Sequence, residues 1–405
     1  MTLLHIFLIL LTLGLSSTLS RATELDVPVA EPEAAPSFSY SLENLFYTSG
    51  STVRHDGFYN PDNRLINYPR QWSVADMRGK WRVDDGQQAL LLQPRLRWQE
   101  RVFEHDTAAY PGSAASYDAT DIKLDQAFWR WNGGANTFLL GREVFTWGPA
   151  TFRSPSSPVY FDAGKTDPLS LLSGLDMLRY SYAMDALTAT LAYVYASSAV
   201  DDTLNYQNVS QLKLDYQTAD SLLSINLAKQ FATASNISFV GGFMQRSVGD
   251  AWLVYAEAGR MSRPQGEMSS QLLGLSYTFM GGQVLTAEYL HGHSDWGRMN
   301  GRQILDRRAK GRLAMAAADD AGLWGRNYLW LGLNSNVQDS NQFWRLELTR
   351  NLDDHSVNIA AYYEKSLNRY LSGFVHASRS LGGSTQEFGW LLRSSFTLGL
   401  KWFVF

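Results

Sequence analysis

The sequence contains no cysteine, and beyond its first 15 residues it has no apolar run long enough to cross a membrane as a helix. The lack of cysteine excludes disulfides, thiol catalysis, thiolate metal sites and a cysteine-linked lipid anchor. The net charge of -4 is small, which disfavours nucleic acid as a partner. The chain is nevertheless rich in aromatic residues, with 13 Trp, 20 Tyr and 20 Phe. A membrane protein without apolar helices must be a closed β-barrel, because only closure satisfies every backbone group in lipid.

The first 22 residues are typical of a secretory signal peptide. An apolar stretch, Leu3 to Leu15, precedes Ser20-Arg21-Ala22, which puts small side chains at the two positions that a signal peptidase reads. No Lys or Arg precedes this stretch, so an uncleaved anchor is the alternative, although about 13 apolar residues are too few to span a bilayer. Residues 23–36 are acidic and proline-rich, which predicts a disordered periplasmic leader.

From residue 37 to residue 405, polar and apolar side chains alternate in segments of about ten residues. In one segment Asp76, Arg78, Lys80 and Arg82 share a face opposite Met77, Gly79, Trp81 and Val83. A soluble sandwich would also alternate. Aromatic residues, however, recur near segment ends on the apolar faces, where interfacial girdles belong: Trp81, Trp98, Tyr180, Tyr182, Tyr193, Tyr195, Trp252, Tyr277, Phe279 and Tyr289. The pattern therefore predicts an all-β fold, a transmembrane antiparallel β-barrel.

The connections between these segments fall into two classes. Eight are short: 84–87, 132–135, 184–186, 218–221, 247–250, 280–283, 337–340 and 366–369. Nine mostly longer ones alternate with them: 48–71, 102–120, 147–174, 197–208, 232–235, 261–268, 294–325, 352–354 and 380–394. This alternation predicts about 18 strands, with the short turns and both termini in the periplasm and the long loops outside the cell.

The last segment is apolar on one face up to its final residue. Phe396, Leu398, Leu400 and Trp402 alternate with smaller or polar residues, and the strand resembles the assembly signal of outer-membrane barrels. We expect Trp402, Phe403 and Phe405 to lie at the periplasmic interface. Phe405 would be recognised by the barrel-assembly machinery.

Residues 147–174 form a connection rich in proline and aromatic residues. Trp147-Gly148-Pro149 predicts the end of a strand, because Pro lacks the backbone donor of a sheet. Two interpretations remain open: the connection folds inward and narrows the lumen, or it packs on neighbouring loops at the surface. The first predicts a constriction that contains Trp147, Pro149, Arg153, Tyr160 and Asp162.

At these residues the sequence resembles outer-membrane barrels that handle surface polysaccharide, the capsule-assembly Wzi family and the alginate-export porins. The Trp147-Gly148-Pro149 turn after a Gly-containing strand, followed by Ser and Pro residues, carries the resemblance. The chain departs from the Wzi pattern at Thr146, where a second Trp is expected, and at Ala150, where Gly is expected. The resemblance implies a barrel of the same strand number and the handling of polysaccharide.

Two other segments are weaker candidates. His291, His293, Ser294 and Asp295 are reminiscent of an outer-membrane phospholipase, but alternate residues of a strand face opposite sides, so a solvated strand end is favoured over a hydrolase. Residues 302–322 predict a helix in the longest loop. Its cations Arg307, Arg308, Lys310 and Arg312 would either contact lipopolysaccharide phosphates or an anionic polymer, or be simply solvated.

Charged residues on the non-apolar faces predict the lining of a pore. A cation that faces lipid at mid-membrane costs about 2–4 kcal/mol, so these residues should point into the lumen. A basic ladder on two neighbouring segments comprises Arg78, Lys80, Arg82, Arg95, Arg97 and Arg101, with only Asp76 among them. Other walls offer Asp125, Lys213, Asp215, Glu257, Glu288, Arg345 and Glu347. The alternatives are mutual neutralisation of these charges and a mild preference for anions.

The function that this pattern favours is a porin-like channel of the Gram-negative outer membrane for passive, charge-influenced passage of small hydrophilic solutes. The alternative is a barrel that anchors or exports an anionic surface polysaccharide. We expect no catalysis, no cofactor and no metal. The expected partners are outer-membrane lipid and lipopolysaccharide, the barrel-assembly machinery, and small solutes or an anionic polysaccharide.

Overall fold

The computed structural model describes residues 37–64, 67–105, 116–162, 164–197, 208–232, 235–263, 266–292, 323–336, 338–339 and 341–404. The predicted signal peptide and leader, Phe405, residues 293–295 and the predicted helix 302–322 lie outside these ranges. In the described part of the chain, no helix is long and apolar enough to cross a membrane.

Eighteen strands form one antiparallel sheet in the described part of the chain. They are β1 (Ser37–Val53), β2 (Gln71–Asp84), β3 (Gln88–Val102), β4 (Ser116–Gly133), β5 (Asn136–Glu143), β6 (Leu175–Met184), β7 (Leu187–Ser197), β8 (Val209–Gln217), β9 (Ser221–Ala232), β10 (Ser235–Val248), β11 (Trp252–Arg263), β12 (Gly266–Thr278), β13 (Val284–His291), β14 (Asn327–Asn334), β15 (Gln342–Asn351), β16 (Val357–Asn368), β17 (Leu371–Leu381) and β18 (Leu392–Val404). A single 3-10 turn, Pro61–Asn63, lies between β1 and β2.

The sheet closes on itself because β1 pairs with both of its neighbours in the ring. Leu45 lies opposite Asp76 of β2 on one side and opposite Lys401 of β18 on the other. Each remaining strand pairs with the strands before and after it in sequence, so the sheet has no edge. The predicted fold, an antiparallel barrel of about 18 strands, is confirmed.

Short and long connections alternate around the ring. The turn end of the barrel is the end with the short connections, where β1 begins and β18 ends. The opposite end is called the loop end. All eight predicted short turns join consecutive strands at the turn end. Two predicted loops, 232–235 and 261–268, are shorter than expected, because the strands continue until only 233–234 and 264–265 separate them.

Alternation along each strand separates an apolar exterior from a polar lumen. On β18, Phe396, Leu398 and Trp402 are about half exposed on the outside, whereas Thr397 between them is buried and its hydroxyl lies 2.7 Å from that of Ser49. The predicted girdle residues Trp81, Trp98, Tyr193, Tyr195, Trp252, Phe279 and Tyr289 are likewise among the exposed large apolar side chains. A continuous apolar exterior of this kind is what a barrel presents to lipid.

Three connections meet at the loop end in an aromatic cluster. Tyr59, between β1 and β2, packs edge-on against Trp324, which precedes β14, and against Trp390, which precedes β18 (5.6 and 6.2 Å between ring centroids). The two tryptophans stack at 5.1 Å. Such aromatic pairs contribute packing energy beyond their buried area, so they fix these connections relative to one another.

The carboxylate of Glu387, in the same connection as Trp390, is buried beside the loop ends of β14 and β15. It accepts hydrogen bonds from the backbone amide of Trp324 (2.9 Å), the hydroxyl of Tyr328 (2.6 Å) and the amide side chain of Asn351 (2.7 Å). Burial, together with the charge of Asp354, raises the pKa of Glu387 to about 7, although the three donors favour the ionised form. Folding therefore favours a protonated Glu387.

The packing around Glu387 should weaken as the pH rises from about 4.5 to about 7. The pKa of Glu387 in the folded state lies above the ordinary pKa of a glutamate. Its contribution to stability is therefore complete when the pH is below the ordinary pKa, and it is lost as the pH rises through the folded-state pKa. The stability changes by roughly 3 kcal/mol in total. Hydrogen exchange of the Trp324 amide, corrected for the intrinsic rate, should report a smaller opening free energy at about pH 8 than at about pH 5. In Glu387→Gln this difference should disappear. Equal opening free energies in the wild type at both pH values would contradict the prediction.

Candidate channel and its constriction

Residues 144–174, which connect β5 to β6, lie inside the barrel and are called the inner segment. The backbone carbonyl of Leu169 accepts a hydrogen bond from Arg78 of β2 (3.2 Å), and the backbone amide of Ala150 donates to Glu257 of β11 (2.7 Å). In the ring of 18 strands, β2 and β11 are nine positions apart and therefore lie on opposite walls. Both wall residues lie within their strands rather than at the ends, so the inner segment crosses the lumen.

Glu257 holds the first half of the inner segment. Its Oε1 accepts the Ala150 amide, and its Oε2 accepts the hydroxyls of Ser154 (2.7 Å) and Ser156 (2.8 Å) and the Ser156 amide (3.2 Å). Glu257, Ser154 and Ser156 are all buried. A buried carboxylate is tolerated only when its lone pairs are satisfied, and here the inner segment supplies the donors.

Glu288 of β13 binds the next two residues in the same way. Its two oxygens accept the backbone amides of Thr151 (2.6 Å) and Phe152 (2.7 Å), and the hydroxyl of Tyr255 also donates to it. Lys165, farther along the inner segment, donates to the Ala150 carbonyl (2.7 Å). Burial lowers the pKa of Lys165, and the charges of Glu257 and Glu288 oppose that change. Lys165 thus lies near the two carboxylates, Glu257 and Glu288.

The backbone of the inner segment lies directly against this wall. A Cβ atom at Gly259 of β11 would lie 1.9 Å from the carbonyl oxygen of Pro155, a distance that only glycine permits. Asn226 of β9 donates to the carbonyl of Ser156 (2.9 Å). At Gly148, where φ is +69°, the chain makes a bend that a larger residue would strain.

The predicted constriction residues all belong to the inner segment, but three of them are buried in it. Trp147 is 3% exposed, and Tyr160 is 5% exposed and donates to the Ser173 carbonyl (2.5 Å). The guanidinium of Arg153 pairs with Asp162 (3.1 Å). Pro149 is half-buried beside Ala150. Trp147, Arg153 and Tyr160 therefore anchor the inner segment rather than border open space.

Pro149 is not the residue that ends β5, which is a correction to the sequence-based prediction. The strand ends at Glu143, four residues before Trp147. The reason is that the chain must leave the wall earlier in order to reach Glu257 and Glu288 across the lumen.

Two apolar clusters fill the lumen on one side of the inner segment. Val159 and Tyr160 pack among buried residues of β3 to β10: Leu91, Phe128, Leu139, Leu175, Met177, Val194, Val209, Ala228 and Phe239. Ala150 and Phe152 pack with Tyr255, Leu272, Leu290, Tyr328 and Trp330. On the other side, Asp167, Ser170 and Leu171 are exposed. These residues flank Leu169, whose carbonyl contacts Arg78, so the accessible side of the inner segment, called the free side, faces β2.

The structure places the basic ladder on the inward faces of β2 and β3 and neutralises part of it. Asp76 accepts hydrogen bonds from Arg95 (2.6 and 2.8 Å) and from Arg78 (2.9 Å). Glu43 of β1 lies 3.7 Å from Arg78, and Asp125 of β4 lies 3.9 Å from Arg95. Besides Asp76, the ladder therefore has Glu43 and Asp125 beside it, because β1 pairs with β2 and β4 pairs with β3.

The rest of the ladder is more accessible. Arg82 pairs with Asp84, and Arg97 donates to the Tyr47 hydroxyl (3.4 Å). Lys80 and Arg101 are exposed, and neither has an ion pair among the described residues. Lys80, Arg97 and Arg101 are therefore the ladder cations best placed to act on a solute.

The remaining predicted charges pair locally on their own strands. Lys213 lies 2.6 Å from Asp215, and Arg345 pairs with Glu347. By contrast, Lys401 of β18 pairs with Glu364 of β16 (2.7 Å), a carboxylate that sequence reasoning did not single out. Residues i and i+2 of a strand share a face, so the acid and the base of each same-strand pair neutralise one another.

His291 is the only described member of the second candidate segment. It is exposed at the end of β13, and its Nδ1 lies 2.9 Å from Oδ1 of Asn327. It has no contact with the inner segment among the hydrogen bonds of the described residues.

Comparison with known proteins shows similarity of fold. No family model and no curated protein sequence matches the chain. Among solved structures, OccK11 (OpdR) of Pseudomonas aeruginosa is 10% identical, with a TM-score of 0.53 over 91% of this chain and 96% of that one. OpdK of Pseudomonas aeruginosa with vanillate is 11% identical (TM-score 0.51; 91% and 98%). A BenF-like porin from Pseudomonas fluorescens Pf-5 is 9% identical (TM-score 0.51; 91% and 98%). These structures give no support to the resemblance to the Wzi family or alginate-export porins.

Replacing Gly259 with Ala should displace the inner segment from its wall, because the new Cβ would overlap the Pro155 carbonyl oxygen. Hydrogen exchange at the amides of Ala150 and Phe152, which Glu257 and Glu288 protect, should accelerate by about tenfold or more. Gly373→Ala on β17 is the matched control, since its Cβ would lie 3.7 Å from the nearest atom. If both variants keep wild-type protection, the described docking of the inner segment is incorrect.

Proposed function

We propose that this protein is a porin of the Gram-negative outer membrane through which small hydrophilic solutes pass, with a mild preference for anions. The single observation that carries the proposal is the inner segment, which crosses a charged lumen and leaves one side of it free. A barrel with an apolar exterior and a charged interior is the architecture of an aqueous pore, and its width and lining charge decide what passes.

The preference for anions rests on the cations that border the free side. Lys80, Arg97 and Arg101 lie on two adjacent strands, whereas Arg78 and Arg95 are engaged by Asp76. Asp167 of the inner segment supplies an acid on the same side, which moderates the preference. The similar OpdK barrel was solved with vanillate, an organic anion, and this supports the same class of solute here.

Nothing observed in the lumen favours an export barrel for anionic polysaccharide or a hydrolase. The inner segment is held by buried carboxylates and packed aromatic residues, which suits a fixed constriction for small solutes better than a path for a polymer. We therefore propose passive diffusion, with no catalytic step.

Excising residues 150–172 and bridging the strand ends should raise the single-channel conductance in planar bilayers, because the inner segment obstructs the lumen. Glu257→Gln and Glu288→Gln should be introduced together with the excision, since it removes the described donors of Glu257 and two of the three described donors of Glu288. The full-length Glu257→Gln/Glu288→Gln variant is the control. Unchanged conductance in a correctly inserted, heat-modifiable excision variant would contradict the proposed constriction.

The triple variant Lys80→Gln, Arg97→Gln, Arg101→Gln should shift the reversal potential in a KCl gradient towards cation selectivity. These residues are preferable to Arg78 and Arg95, whose removal would leave Asp76 unpaired. Arg379→Gln, an exposed cation on the outer surface of β17, is the matched control and should leave the reversal potential unchanged. A strongly cation-selective wild type, or a triple variant identical to it, would remove these residues from the mechanism.

A further inference from the structure

Two arginines face outward near the loop end of the barrel. Arg350 of β15 and Arg379 of β17 are exposed, whereas their neighbours Thr349 and Ser378 lie on the inward faces. Neither arginine has an ion pair or a side-chain hydrogen bond among the described residues. Arg350 and Arg379 therefore lie on the outside of the barrel, at the border of the apolar exterior nearest the loop end.

The strand register brings these arginines into one patch. Arg350 lies opposite Val357 of β16, and Arg379 lies opposite Ile359 two residues further along the same strand. Two strand spacings of about 4.8 Å and an offset of two residues place their backbones about 12 Å apart. Two arginine side chains at that separation can reach the same headgroup.

Asp353 and Asp354, in the connection that follows β15, direct their described hydrogen bonds to residues other than Arg350 and Arg379. Asp353 accepts hydrogen bonds from the backbone amides of Arg326 and Asn327 and from the Asn327 side chain (2.7 Å). Asp354 accepts the Ser356 hydroxyl (2.6 Å) and the Glu387 amide (2.7 Å). Apolar side chains lie beside the arginines: Ile359 and Leu381 are each 42% exposed.

We propose that Arg350 and Arg379 bind the phosphate groups of an anionic lipid in the outer leaflet. A guanidinium at the edge of the apolar band lies at headgroup level, where it meets phosphate in bidentate geometry. The apolar side chains beside it would contact the acyl chains. The positive charge of the two arginines and their position at the border of the apolar exterior thus favour the headgroup of a phospholipid or glycolipid over free phosphate.

The proposal rests on the proposed outer-membrane location but not on solute passage. Purified full-length barrel in detergent would be titrated with bisphosphorylated lipid A and analysed by native mass spectrometry. Arg350→Gln/Arg379→Gln should reduce the affinity by about tenfold or more, because the variant loses both charge-assisted contacts to phosphate. Since no flux is measured, a closed or non-selective barrel would not affect this result.

The control is Arg246→Gln/Lys365→Gln, which removes two outward cations near the turn end, of which Arg246 pairs with Asp220 (3.2 Å). It should bind like the wild type. The same lipid after dephosphorylation tests the wild type without any substitution and should bind much more weakly. The proposal would be overturned if both double variants lost affinity equally, or if Arg350→Gln/Arg379→Gln bound the lipid like the wild type. It would also be overturned if the dephosphorylated lipid bound equally well, or if equimolar inorganic phosphate displaced the lipid.

Discussion

Closure of the sheet through the pairing of β1 with β18 is the constraint on which the rest of the structure depends. A membrane-embedded sheet cannot leave an edge, because unpaired backbone groups in lipid cost several kcal/mol each. Once the ring is closed, the period of two along every strand assigns each side chain to the exterior or to the lumen. The apolar exterior, the charged lumen and the alternating connections all follow from this single condition.

Closure also creates a problem in the interior, because a ring of 18 strands encloses more space than wall side chains can fill. The inner segment occupies part of that space. Its backbone amides would be unsatisfied inside the barrel, and the chain solves this by placing Glu257 and Glu288 on the wall opposite β2. The buried carboxylates need hydrogen-bond donors and the buried amides need acceptors, so their hydrogen bonds offset the cost of burying both groups.

The same reasoning accounts for the uneven distribution of charge in the lumen. Where acids and bases alternate along one strand, as at Lys213 and Asp215, they neutralise one another. Where the sequence places several cations in a row on β2 and β3, the pairing of β1 with β2 and of β4 with β3 brings Glu43 and Asp125 beside them, and only part of the ladder stays accessible. The free side of the lumen thus combines accessible cations with the carboxylate of Asp167.

The sequence by itself determined the barrel, its strand number and its short turns, because alternation and turn residues are local properties that survive in any closed sheet. It also indicated which charges point inward. It could not decide whether residues 147–174 fold inward, since that depends on Glu257 and Glu288, more than 100 residues away in the chain. Nor could it find the role of Glu43, because its place opposite Arg78 depends on the register in which β1 pairs with β2. Contacts between distant segments are set by tertiary structure, and no local pattern records them.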